Sequence, residues 1–108
     1  MVRPRRFDVH LVALDPALGA EMQKTRPCII VSPDESHSRI LTVVVVPLTS
    51  QPKRFPGRIA IRFQNQDGEV AIDQLRVVDK TRLLRRVGSV SPDDARRIST
   101  ALVEFFDW

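Results

Sequence analysis

Gly19-Ala20-Glu21-Met22-Gln23-Lys24-Thr25-Arg26-Pro27-Cys28-Ile29-Ile30-Val31-Ser32 changes character halfway along. The first half is polar and has no apolar period. At Arg26-Pro27 it turns into a β-branched run. Pro27 fixes its own φ and pushes Arg26 towards extended backbone. Cys28 to Val31 then predicts a buried strand. Arg26 is thus a cation at the mouth of a rigid strand, directly after a mobile stretch. A scaffold often holds a functional group in such a place while the loop admits a ligand.

The flanking sequence extends the β pattern in both directions. Residues 8–14 predict a first strand covered on both faces, ended by Asp15-Pro16. Residues 15–25 form a loop long for so short a chain. After the quoted stretch, residues 33–38 predict a polar hairpin loop. Residues 40–46 are the most β-branched run and predict the central strand, which Pro47-Leu48-Thr49-Ser50 closes. A second loop follows at 51–57. Residues 58–63 alternate, with Ile59, Ile61 and Phe63 inward and Arg58, Ala60 and Arg62 outward.

Residues 65–68, Asn-Gln-Asp-Gly, signal a turn. Short strands are expected at 69–72 and 75–78, a helical turn at 79–82, and a last strand at 85–90 with a bulge at Gly88. Ser91 caps a terminal helix with Pro92 in its first turn and Asp93 and Asp94 at its positive end. Its apolar stripe is Ile98, Ala101, Leu102 and Phe105. The pattern predicts a mainly β fold: a small, curved antiparallel barrel with a C-terminal α helix, in one domain over 1–108.

Composition narrows the function classes. The chain has 108 residues, 43% hydrophobic and 28% charged, an ordinary globular balance. No apolar run approaches the roughly 20 residues of a membrane helix. The basic residues 3, 5 and 6 are not followed by a signal-peptide pattern, and residues 1–7 read as a poorly ordered basic arm. One cysteine excludes an intrachain disulfide and fits a reducing, cytoplasmic setting. One cysteine and two histidines are too few for a zinc site, so no metal is expected. The net charge of +4 comes mostly from arginine, whose planar fork suits phosphates and bases. Mere solubility would also account for that charge.

Five segments in order carry a resemblance. They are Leu14-Asp15-Pro16 with Gly19-Ala20-Glu21; Thr25 to Ser32; Val46-Pro47-Leu48-Thr49-Ser50; Ala71-Ile72-Asp73-Gln74-Leu75-Arg76; and Arg82-Leu83 with Val87-Gly88-Ser89-Val90. Together they resemble the MazF/PemK family of toxin endoribonucleases from bacterial toxin–antitoxin systems. The resemblance implies an SH3-like barrel, a homodimer, metal-independent cleavage of single-stranded RNA without a cofactor, and neutralisation by a cognate antitoxin. It places Arg26 and Thr49 at the cut phosphate, with Glu21 and Gln74 beside it. One branch of the family has a histidine and an arginine where this chain has Ala20 and Ala71. The usual glutamine after the loop glutamate is Met22, and the glycine and tryptophan near the first strand are Phe7 and His10.

RNA is cut without a metal when its own 2′-hydroxyl attacks the adjacent phosphorus, giving a 2′,3′-cyclic phosphate and a 5′-hydroxyl. Arg26 suits stabilisation of the phosphorane charge, and Thr49, with Ser50 beside it, can donate a hydrogen bond to a phosphate oxygen. Asp73 is expected to orient Arg26. Lys53, Arg54 and Phe55 supply two cations and one ring for gripping single-stranded RNA. The competing readings are structural: an ion pair of Arg26 with Glu21 or Asp73, a strand-end turn at Thr49-Ser50, and a solvated loop at 52–55. His10 reads as a hydrogen-bonded structural histidine, His37 as solvated, and Cys28 as a small buried apolar group. An antitoxin tail, acidic and partly disordered, is the expected protein partner. A CcdB-like gyrase poison and a nonenzymatic RNA-binding barrel are the alternative functions, the first drawing on the terminal Phe106-Asp107-Trp108.

Overall fold

The β-branched runs pair into one curled antiparallel sheet. The computed structural model describes residues 3–108. Its strands are β1 (Asp8–Ala13), β2 (Thr25–Ile30), β3 (Thr42–Thr49), β4 (Ile59–Phe63), β5 (Gln66–Val70), β6 (Arg76–Asp79) and β7 (Leu83–Ser89). The order is β4-β5-β3-β2-β1-β7, with β6 paired to β3 off this path. The result is a half-barrel, with the short helix α1 (Asp34–His37) after β2 and the long helix α2 (Pro92–Phe106) at the end.

From Cys28 on, β2 is buried on both faces, which is why it reads there as an unbroken apolar run. Ile29, opposite Val46, belongs to a core with Val9, Val70, Ile72 and Ile98 of α2. Its neighbours Cys28 and Ile30 face the other way, into a second core with Val12, Leu14, Val43 and Val45. Ile98 is fully buried, worth about 1.5–3 kcal/mol. Ser91 caps α2 as expected, its hydroxyl accepting from Asp94 N at 3.1 Å. Ala101 and Leu102 pack on the core, but Phe105 is about half exposed. It stands edge-on to Phe106, near Gly57.

Several boundaries differ from the pattern for local reasons. β3 runs on through Pro47 to Thr49 because the Pro47 carbonyl accepts from Ala71 N at 2.9 Å. The turn expected at 65–68 sits two residues earlier, at 63–66, with Gln64 and Asn65 both at positive φ, as a tight hairpin requires. β5 therefore starts at Gln66, and Gly68 lies inside the strand. A Cβ there would meet the Thr49 carbonyl oxygen at 2.5 Å, so the glycine permits close pairing rather than a turn. Residues 72–74 form a 3-10 turn instead of ending a strand. The bulge near Gly88 is present, as a register shift between β1 and β7.

Two histidines and the N-terminal arm are corrected. His37 is buried in α1, not solvated. Its Nε2 pairs with Ser32 Oγ at 2.7 Å and its Nδ1 lies 3.0 Å from the Pro4 carbonyl. Arg6 N donates to Asp34 Oδ1 and Phe7 N to the Ile30 carbonyl, both at 2.7 Å, so residues 4–7 of the expected loose arm are docked. Residues 1–2 of that arm lie outside the described residues. His10 is fully buried, and neither ring nitrogen has a hydrogen-bond partner among the described residues. Burial lowers its pKa below 6.5, with Asp8 opposing and Arg86 adding to the shift.

Candidate active site

The β2–β3 register brings two expected residues together. It pairs Cys28 with Pro47 and Ile29 with Val46. Carried two residues further, the same register sets Arg26 across from Thr49. Both line one cleft of about 410 Å³, with Lys24, Ser50, Phe63, Gln66 and Asp67 also on its walls. Arg26 Nε donates to the Gln23 carbonyl at 3.1 Å. Its two terminal nitrogens carry no hydrogen bond among the described residues and are free for a ligand. Thr49 is buried, and its Oγ1 accepts from Gln51 N at 3.0 Å. That leaves the hydroxyl hydrogen available to donate.

Nearby, Cys28 has its thiol pushed up to about 12 by burial, against the opposing pull of Arg76 and Arg26. It stays a thiol at neutral pH, so it is a packing residue, as read from the sequence, and not a nucleophile.

Apart from Ser50, the other expected site residues sit outside this cleft. Glu21 caps its own loop, Oε1 accepting from Leu18 N at 2.7 Å. Gln74 Oε1 accepts from Met22 N at 3.1 Å. Arg76 Nη1 donates to the Leu14 carbonyl at 3.1 Å and Arg82 Nη1 to the Ala13 carbonyl at 3.0 Å. These contacts brace the β1–β2 loop that leads into Arg26.

Asp73 does not orient Arg26, because Arg58 claims it. Arg58 Nε lies 2.5 Å from Asp73 Oδ1 and Nη2 3.1 Å from Oδ2. The hydrogen bond from Arg58 is the largest effect holding the Asp73 carboxyl below its usual range.

Arg58 and Glu69 were not singled out in the sequence. Strand alternation points Arg58 outward, where an arginine is unremarkable. Only the return of β5 brings Glu69 over it, at 3.4 Å. The Glu69 carboxylate also accepts from Lys53 N at 2.9 Å and Arg54 N at 3.0 Å. Burial works to raise its pKa; the Lys53 and Arg54 amides and Arg58 outweigh it and hold the group below the usual carboxylate range.

A second, wider cleft of about 980 Å³ adjoins the first through Ser50, Ile61, Asp67 and Gly68, and adds Arg54, Phe55, Arg58, Arg62 and Arg97. Arg62 pairs with Asp67 at 2.9 Å and Arg97 with Asp94 at 3.0 Å. Phe55 is half exposed, with the Arg58 guanidinium 5.2 Å from its ring centre. The Lys53 side chain lines neither cleft. No group of three or more metal-ligating side chains occurs among the described residues, and no helix there is long and apolar enough to cross a membrane.

Known proteins share this architecture. A family model described as PemK-like, MazF-like toxin of type II toxin-antitoxin system matches residues 5–106. The chain is 27% identical over 100 residues to the endoribonuclease toxin MazF of Escherichia coli (strain K12), covering 92% of this chain and 90% of that protein. A crystal structure of MazF from Deinococcus radiodurans matches with a TM-score of 0.88 at 19% identity over the full length of both chains, which bears on the fold. An endoribonuclease from mycobacterial species, in complex with its cognate antitoxin, matches with a TM-score of 0.80 at 26% identity, covering 97% of this chain and 98% of that one. The family match spans nearly every described residue, and the chain belongs to the PemK-like, MazF-like toxins of type II toxin–antitoxin systems.

Proposed function

We propose that this toxin is an endoribonuclease that cuts single-stranded RNA in the cleft holding Arg26 and Thr49. The observation that carries the reading is the pairing of a guanidinium held at Nε, with both terminal nitrogens open to the cleft, and a buried hydroxyl whose hydrogen is free. The substrate supplies the nucleophile. Its 2′-oxygen attacks the adjacent phosphorus, the 2′ proton leaves, and the 5′-oxygen departs with a proton. Negative charge grows on the non-bridging oxygens in the transition state. Arg26 meets it with two parallel N–H donors, and Thr49 with its O–H. Such donors are worth most in a walled cleft, where they need no reorganisation during the reaction. Asp73 is a poor proton acceptor, since its engagement with Arg58 favours the charged form. Cleavage by this route requires no metal, because the 2′-hydroxyl replaces a metal-activated water.

The RNA strand runs on from this cleft towards the loop after β3. There Arg54 offers a cation, Phe55 an open ring face, and Ser50 a hydroxyl at the junction of the two clefts. The toxin works in the cytoplasm as a homodimer, and a cognate antitoxin silences it. The net charge of +4 suits an acidic, partly disordered antitoxin segment that folds as it binds.

The test is incubation of a long, defined single-stranded RNA with purified protein in EDTA, followed by primer extension and end-group analysis. Discrete cuts with 5′-hydroxyl ends are expected. Intact RNA from a protein that still arrests growth would move the function to a protein target, with the exposed Phe106 and Trp108 as the contact.

A further inference from the structure

The network of Glu69, Arg58 and Asp73, buried at Glu69 and the Arg58 side chain and open to solvent at Asp73, takes no part in the reaction as derived, yet it lies beneath the loop proposed to hold the RNA. We infer that Glu69 is a positioning residue for substrate: its carboxylate, locked by Arg58, fixes the backbone of Lys53 and Arg54 and so sets where the loop after β3 meets the strand. The inference rests on the nuclease reading.

Both carboxylate oxygens of Glu69 are engaged, Oε1 by Lys53 N and Oε2 by Arg54 N. Arg54 is left-handed, with φ +57°, a conformation that a non-glycine residue adopts at some cost. Consecutive amides converging on an anion form a backbone nest, and the anion here is supplied from within the chain. It compensates the left-handed residue and turns the loop in one direction.

The same residue is tied to the proposed chemistry. Glu69 stands opposite Thr49 in the β3–β5 register, next to the glycine that lets the two strands approach. The loop is therefore tied, through the Glu69 side chain, to the strand pair that bears Thr49. Arg58 extends the device. Its side chain is 4% exposed. It bonds Asp73 through Nε and Nη2 and Glu69 through Nη1. Its guanidinium also lies over the half-exposed ring of Phe55. Buried ion pairs of this kind add little net stability over apolar side chains, and here each member fixes a group that faces the clefts.

The experiment is steady-state cleavage of one RNA oligonucleotide by the wild type, Glu69→Gln, Arg54→Ala and the double variant. Glu69→Gln keeps the shape but presents an amide donor to a nest of donors. It should raise KM about tenfold, the factor expected for one lost charge-assisted hydrogen bond. Its kcat should move by less than about threefold, since the reacting groups are untouched. In the Arg54→Ala background the same change should have little further effect on KM, because both act through one loop.

An unchanged KM in Glu69→Gln, or KM effects that simply add, would overturn the positioning role while leaving the nuclease reading intact. A wild type that cuts no RNA would overturn that reading and the substrate role with it. If Glu69→Gln does not fold, amide exchange in the wild type decides. Protection of the Lys53 and Arg54 amides comparable to strand amides supports the role, and rapid exchange contradicts it.

Discussion

In the proposed reaction Arg26 and Thr49 divide one task between them. The guanidinium is charged at every working pH and acts on net charge, whereas the hydroxyl supplies a single directed donor. Thr49→Val removes that donor and keeps the β-branched shape. We expect single-turnover cleavage to fall about 10²–10³-fold, as for loss of one oxyanion donor; Thr49→Ser should retain most of the rate. His10 makes a separate prediction about stability. Its folded pKa lies below 6.5, so the unfolded chain takes up the proton first as pH falls. Stability should therefore decline as the pH drops below 6.5 and level off beneath the folded pKa. His10→Leu should remove that slope and raise stability at pH 7 by about 1–3 kcal/mol, the penalty of an unsatisfied buried polar group. Urea titrations at pH 7 and pH 5 test both statements.

Among the elements, β3 holds Thr49 between β2, which bears Arg26, and β5, which bears Gly68. Gly68→Ala would drive a methyl into the Thr49 carbonyl. β5 would have to move away from β3, at about 1–3 kcal/mol or more, and cleavage should fall with it because Thr49 loses its anchor. Chemical denaturation and a cleavage assay on the same sample would show the two losses together. The β3–β5 pair also shows where sequence reading stops. The β-branched runs and the Ser91 cap announced strands and helix, since local propensity and burial agree there. Gly68 read as a turn because Asn65-Gln66-Asp67-Gly68 has turn chemistry, while its real role is a contact with a strand distant in sequence. Arg26 and Thr49 stood out through motifs and Arg58 did not, because its partners come from β5 and from the 3-10 turn at residues 72–74. Asp73 was recognised as a residue beside an arginine, but the topology assigned it to Arg58. His37 looked solvated within a polar stretch, since the chain that covers it lies more than thirty residues away, at Pro4.

For the molecule as a whole, the half-barrel supplies rigidity and its loops supply the contacts. A homodimer is expected by light scattering at micromolar concentration, and a monomer there would count against the proposed assembly. RNA affinity should weaken as salt rises, since phosphate contacts release counterions. The central claim is that the cleft of Arg26 and Thr49 is where RNA is cut. It is tested most directly by single-turnover cleavage with Arg26→Ala, alongside RNA binding and thermal melting of the same preparation. The account predicts a folded protein that still binds RNA, more weakly, and has lost at least about 10²-fold of its cleavage rate. A folded Arg26→Ala protein that cuts as fast as the wild type would contradict it.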